Sequence, residues 1–369
     1  MRWLGFTLLA AGCVAAACWG PAQLWPTTAA PDGVYGRAGD GPSGLALLSA
    51  QAEKGALQAD VPRPASAANP PSPASPPVTA VAEPFLPEVA EAACTTLLPR
   101  LPGLSRAQCV ATRLQASGAL SRQGAPLYWR DVPSHAGAAA KGQPAAEPLR
   151  VLVVGAMHGD ELTAASLALR WIGMAAAEGA VDADEPAPVH WRFIPVLNPD
   201  GLLAPKPTRV NAGGVDLNRN FPTPGWAEEA PVYWEKRTRK DPRRWPGHTP
   251  LSEPESRFLH QQMDQFQPQL VVSIHAPYGV LDFDGPHDPP LRLGRLRMDK
   301  LGVFPGSLGH YGGLHRGVPV VTIELEHALR MPPDAEVRAM WRDLRHWMNT
   351  RLLDGADAVA GVKPPGLQR

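Results

Sequence analysis

An α/β fold built on a largely parallel sheet is the architecture this sequence predicts, and three observations predict it. Leu149 to Val154 (LRVLVV) is a nearly continuous apolar run, the pattern of a strand buried on both faces, and Leu162 to Met174 after it has helical spacing. His190 to Leu197, Leu270 to Ile274 and Val318 to Leu325 are further strand candidates of the same kind. Each of the four leads into a loop rich in His, Asn, Asp or Glu, and open α/β sheets bind ligands beyond the carboxyl ends of their strands.

The helices between and after these strands follow from local signals. LSEPESRFLHQQMDQF reads as a helix with Ser252 as its cap, Pro254 in the first turn and Glu255 folded back on the Ser252 amide as a capping box. Phe258, Leu259, Gln262, Met263 and Phe266 then share one face. From about Asp334 to Leu353, Val337, Met340, Trp341, Leu344 and Met348 form a single stripe, so these bulky side chains are core.

Composition bounds the rest. The chain has 369 residues and 44% hydrophobic content, enough for a sizeable core, and 35 basic against 35 acidic side chains. That balance offers no field for nucleic acid or an anionic membrane, so no nucleic-acid partner is expected. Residues 1–20 read as a signal peptide or membrane anchor, with Cys13 and Cys18 as weak lipoprotein sites. Residues 21–83, rich in Pro, Ala, Ser and Gly, read as a disordered tether. Residues 84–148 form an N-terminal extension, 149–355 the catalytic domain and 356–369 a flexible tail. Cys94 and Cys109 lie in one short block of the extension. In an oxidising compartment they read as a disulfide, and otherwise as two buried thiols. The expectation is an exported monomer, periplasmic or attached to the envelope through its N-terminus.

The chemistry lies in separated clusters. His158 and Glu161 in MHGDE, with His275 in SIHAPYG, supply two imidazoles and a carboxylate, which leave a tetrahedral zinc one open position. The loop from Asn198 to Pro222 contributes Arg209, Asn218 and Arg219, a combination able to grip an anionic chain end. Trp226 to His248 reads as a surface insertion near the mouth. Asp282 and Asp284 follow the third ligand and could contact the amino group of a diamino acid.

Taken in order, HGDE, NPDG, GVDLNRNF, SIHAPYG and VTIELE resemble the zinc carboxypeptidase family, most closely its murein peptide amidase A branch. The resemblance covers roughly Leu149 to Leu353. The stretch from Cys94 to Asp131 also resembles the region that precedes the core in such amidases. It implies a three-layer α/β/α fold with a mixed, mostly parallel sheet. It also implies one zinc per chain on His158, Glu161 and His275. Glu324 would be the general base, Arg209 the oxyanion stabiliser, and Asn218 with Arg219 the grip on the substrate's terminal carboxylate. The implied reaction is hydrolysis of the γ-D-glutamyl to meso-diaminopimelate amide in peptidoglycan stem peptides. A general metallocarboxypeptidase, an N-acyl-amino-acid deacylase and a non-catalytic peptidoglycan-binding module are the alternatives. Glu326 stands where the family has proline, and is a substitute candidate for the base. Tyr311, in a glycine-rich loop free to move, is the candidate substrate-capping residue, with His310 and His315 beside it as non-ligands.

Overall fold

The computed structural model describes residues 86–134, 147–178 and 188–352. The expected leader, tether and tail lie outside the described residues. All described residues belong to one compact unit, Thr79–Arg369. No helix among them is long and apolar enough to cross a membrane.

Nine strands occur among the described residues: β1 (Gln115–Leu120), β2 (Pro126–Val132), β3 (Leu149–Val154), β4 (Val189–Ile194), β5 (Leu270–His275), β6 (Val280–Asp284), β7 (Arg292–Leu293), β8 (Leu296–Arg297) and β9 (Val320–Glu324). Seven form one sheet in the order β1-β2-β4-β3-β5-β9-β6, and β7 with β8 forms a separate small hairpin. The central four, β4, β3, β5 and β9, are parallel, and antiparallel strands extend the sheet on both sides. The parallel centre matches the apolar runs in the sequence because those strands are covered on both faces. Val151, Val153, Trp191, Phe193, Val272, Ile274, Val321 and Ile323 belong to one core layer. Leu152, Val154, Ile194, Val271 and Val320 belong to the other.

The helices are α1 (Pro87–Leu97), α2 (Arg106–Ala111), α3 (Leu162–Glu178), α4 (Pro199–Leu203), α5 (Trp226–Val232), α6 (Pro254–Phe266) and α7 (Asp334–Trp347), the last continuing as a π turn to Leu352. Buried residues of α3 and α7 pack into the first core layer, and Phe258, Leu259, Met263 and Phe266 of α6 into the second. The result is the three-layer α/β/α arrangement.

The extension is part of this sheet. Its strand β2 pairs with β4, with Arg130, Asp131 and Val132 opposite Phe193, Arg192 and Trp191. Cys94 and Cys109 are joined in a disulfide that connects α1 to α2 with a Cα–Cα distance of 5.8 Å. On the chain-entropy argument, closing a loop of this length contributes about 3 kcal/mol.

One helix start differs from expectation. Glu253, not Ser252, occupies the cap of α6, and no side chain caps it. Glu255 is fully buried, accepting hydrogen bonds from the Arg122 amide (2.9 Å) and Asn211 Nδ2 (3.0 Å). The Glu253 carboxylate takes Arg122 Nη1 (3.0 Å) and the same Asn211 amide (2.8 Å). Long-range partners in the turn between β1 and β2 and in the Asn198–Pro222 loop claim the carboxylate that local spacing would assign to a cap.

Candidate metal centre

Three side chains converge beyond the carboxyl ends of β3 and β5. His158 and Glu161 lie in the loop between β3 and α3, and His275 is the last residue of β5, immediately beside β3 in the sheet. Chain direction switches here, from β4 on one side of β3 to β5 on the other, which opens a crevice at this rim. Gly159 makes the loop's path feasible, because a Cβ there would lie 2.2 Å from the Gly201 carbonyl carbon at the start of α4.

His158 Nδ1 and His275 Nδ1 are 3.1 Å apart, and the Glu161 oxygens lie 2.8 Å from the first and 3.0 Å from the second. All three side chains are buried. Donors held by tetrahedral zinc at bonds of about 2.0–2.1 Å would be separated by about 3.3 Å, close to this spacing. The other ring nitrogens are occupied: His158 Nε2 donates to Asp216 Oδ1 (3.0 Å), and His275 Nε2 is 2.9 Å from Ser273 Oγ. Those contacts leave both Nδ1 lone pairs aimed at one point, the orienting role of groups behind a metal ligand. Burial keeps His275 below its ordinary value. Glu161 is held well below the usual carboxylate range, since the two imidazoles outweigh its burial.

Glu324 ends β9, in parallel register with His275. It is buried, and its Oε2 has no hydrogen-bond partner. Burial, reinforced by the Glu161 charge, pushes its carboxyl up to about 8, while the Tyr278 amide pulls in the other direction. A carboxyl stripped of water beside a cluster of metal donors is poised to exchange a proton. Glu326 is exposed, and β9 stops before reaching it.

Asp216 organises the neighbouring loop. Fully buried, it accepts from His158 through Oδ1, from Arg209 Nε (3.1 Å) and Nη2 (3.0 Å) through Oδ2, and from the Asn218 amide (3.0 Å). Arg209 Nη1 also stands 3.5 Å from Glu161. Asn218 Oδ1 accepts from the Leu308 amide (2.8 Å), which leaves its NH2 group to point elsewhere. Arg219 is 5% exposed, its guanidinium lies 4.5 Å over the Phe304 ring, and its Nε is buried without a partner. Burial lowers it to about 10. Gly306 permits this packing, for at φ +74° a Cβ would fall 2.0 Å from the Arg219 carbonyl oxygen.

The structure thus brings together His158, Glu161, His275, Glu324 and Arg209, with Asn218 and Arg219 on the adjoining turn. It does not bring Tyr311 to them. Tyr311 is buried in the second core layer, stacked on Phe221, with its hydroxyl 2.5 Å from His260 Nδ1 and accepting from Arg316 (2.8 Å). The expected moving loop is a packed π turn, His310–His315, and capping by Tyr311 is corrected accordingly. Neither His310 nor His315 joins the metal-donor group among the described residues. Tyr278, three residues past His275 and 60% exposed, is the tyrosine beside Glu324. Sequence reasoning missed Asp216, Ser273 and Tyr278 as site residues, although each lies inside or next to a motif it used.

Asp282, in the middle of β6, is buried and accepts from the amide of the next residue, Phe283 (2.9 Å). Asp284 packs against Gly309 and Gly313, and burial together with Asp282 pushes its carboxyl up to about 6. Between about pH 4 and that value the folded chain keeps a proton that the unfolded chain releases, so stability falls as pH rises through this window. Asp284→Asn is therefore expected to denature at higher urea than the parent at about pH 7 and to match it below about pH 4. A lower midpoint at pH 7 would contradict this account.

The zinc carboxypeptidase family profile matches residues 111–284. Murein peptide amidase A of Escherichia coli is 34% identical over 164 residues, 43% of this chain and 57% of that protein's length. Murein peptide amidase A of Vibrio campbellii is 32% identical over 193 residues, 48% of this chain and 69% of that protein. The chain belongs to the zinc carboxypeptidase family. Thrombin activatable fibrinolysis inhibitor shares the fold, with a TM-score of 0.50 at 15% identity over 75% of this chain and 73% of that one. Zinc is the metal of this family, and His158, Glu161 and His275 form a donor set that can hold it.

Proposed function

We propose that this family member is a zinc-dependent amide hydrolase of peptidoglycan stem peptides, cleaving the γ-D-glutamyl to meso-diaminopimelate bond. The observation that carries the reading is the buried Glu324 carboxyl, its Oε2 without a partner, in register with His275 of the His158–Glu161–His275 cluster. Zinc, held by His158, Glu161 and His275, would supply Lewis acidity toward a carbonyl oxygen and toward water at this site. Glu324 takes the proton from that water and passes it to the leaving amine. Arg209, its charge already oriented by Asp216, stabilises the oxyanion. Asn218 and Arg219 bind the terminal carboxylate of the leaving amino acid, and the unpartnered Arg219 Nε supports that role. The substrate class follows the two amidase relatives. Export to an oxidising compartment is part of the proposal, supported by the disulfide between Cys94 and Cys109.

The test is mass spectrometry of products from L-Ala-γ-D-Glu-meso-diaminopimelate, ordinary peptides and N-acyl amino acids incubated with the zinc-loaded protein. Free meso-diaminopimelate and L-Ala-D-Glu are expected from the first. Turnover confined to the other two classes would replace this reading with a carboxypeptidase or deacylase.

A further inference from the structure

Strand β6 carries two carboxyl groups that the proposed chemistry leaves unused. Its register with β9 sets Val280 opposite Glu324, Asp282 opposite Thr322 and Asp284 opposite Val320. Residues directly opposite each other in an antiparallel pair point to the same face of the sheet. Leu281, Phe283, Val321 and Ile323 belong to the first core layer and Val320 to the second, so Glu324, Thr322, Asp282 and Asp284 share the second face.

That face is not sealed. Although β9 lies inside the sheet between β5 and β6, Thr322 at its middle is partly exposed, and so is Asp284. Glu324, 7% exposed with its Oε2 unpartnered, stands at one end of this opening. Asp282 lies two residues along and one strand across, roughly 8 Å away between Cα atoms. Residues 304–309 form the roof. Phe304 carries the Arg219 guanidinium, the Leu308 amide donates to Asn218 Oδ1 (2.8 Å), and Gly309 lies so close to the Asp284 carboxyl that no Cβ would fit. One short segment thus joins the groups that grip a terminal carboxylate to the acidic pair.

The pair has no cation of its own. Among the described residues no basic side chain comes within ion-pair distance of either carboxyl, and Lys300, whose charge acts on both, is exposed. The elevated Asp284 carboxyl is the result expected of two buried acids without a counter-charge. A leaving residue with its α-carboxylate on Asn218 and Arg219 and its amide beside Glu324 extends its side chain over Thr322 toward Asp282. An ammonium at the end of a four-carbon side chain reaches roughly 6 Å from Cα, far enough to meet that carboxyl, whereas an apolar side chain leaves the pair unanswered.

We propose that Asp282 and Asp284 form a subsite for a side-chain ammonium of the leaving residue, so that the crevice selects diamino acids over neutral ones of the same length. This rests on the murein-peptide reading above, in which the distal amino group of diaminopimelate is that ammonium. The two acids bind the side chain and take no part in proton transfer.

The experiment uses the zinc-loaded full chain and three tripeptides, L-Ala-γ-D-Glu followed by meso-diaminopimelate, L-lysine or L-norleucine. The wild type is expected to show a kcat/KM for the lysine tripeptide roughly tenfold or more above that for norleucine. Asp282→Asn reduces this ratio to below about threefold. Asp284→Asn, expected to be more stable than the parent at about pH 7, reduces it in the same direction and serves where Asp282→Asn fails to fold. A wild-type ratio near one, or a ratio that survives both substitutions whatever happens to the absolute rates, overturns the proposal, while cleavage of the diaminopimelate tripeptide would leave the proposed function standing. If the wild type cleaves none of the three, the proposed function fails by itself, and calorimetry with free amino acids decides the subsite. Tighter binding of L-lysine than of L-norleucine, abolished in Asp282→Asn, upholds it, and equal binding by the wild type overturns it.

Discussion

Glu324→Gln is expected to retain zinc and lose kcat/KM by roughly 10²–10⁴-fold, the contribution of a positioned general base. The exchange preserves shape and hydrogen-bonding capacity while removing a site that can carry the proton. Glu324 donates no ligand atom to the donor cluster, so metal content measured by atomic emission should equal that of the wild type. Because its carboxyl is buried and pushed up to about 8, neutralising it also removes a cost of folding that the charged form would impose, and thermal stability should not fall. Substantial turnover by the Gln variant, alongside a large loss in Glu326→Gln, would transfer the base to the neighbouring exposed carboxylate.

His275→Ala produces a different failure. Two donors remain, the Nδ1 lone pair that faces His158 at 3.1 Å is gone, and Ser273 loses its partner. Zinc affinity should fall by well over the 10–100-fold that follows loss of a group behind a ligand, and activity should fall with it. The comparison that matters is with wild-type protein treated with chelator: both should be inactive, and only the wild type should recover when zinc is returned at micromolar concentration. Recovery of the Ala variant to wild-type rates would remove His275 from the site.

The strand-end positions of the donor set and of Glu324 were readable from local sequence, whereas the role of Glu324 came from the resemblance of VTIELE. His158 and Glu161 follow a strand recognisable by its apolar run, His275 closes a second such strand, and Glu324 a third. A parallel sheet places the ends of adjacent strands on one rim, so local reading sufficed to bring them together. Asp216 obeys no such rule. Its bond to His158 spans 58 residues of sequence, so although Asp216 stands inside GVDLNRNF its partner could not be read from that motif. Glu255 shows tertiary structure overriding a local motif: the Ser252 spacing is that of a capping box, yet Arg122 and Asn211, both distant in sequence, bind its carboxylate. Tyr311 was misplaced because glycine has two meanings. Gly312 and Gly313 suggest a loop that moves, whereas added Cβ atoms there would lie 2.8 Å from Val320 and 2.3 Å from Asp284, so these glycines serve close packing.

The turn between β1 and β2 reaches three acidic side chains: Ser121 Oγ (2.6 Å) and the Gln123 amide (3.0 Å) donate to Asp200, and Arg122 serves both of the buried Glu253 and Glu255. A chain cut to begin at Leu149 would take the Arg122 donors from Glu253 and Glu255 and leave Asn211 to serve both carboxylates, and is expected to be less stable. It would also slacken Asn211, the hinge post of the loop that carries Arg209 and Arg219. The β1–β2 hairpin is therefore expected to be needed wherever the loop that carries Arg209 and Arg219 is to hold its shape.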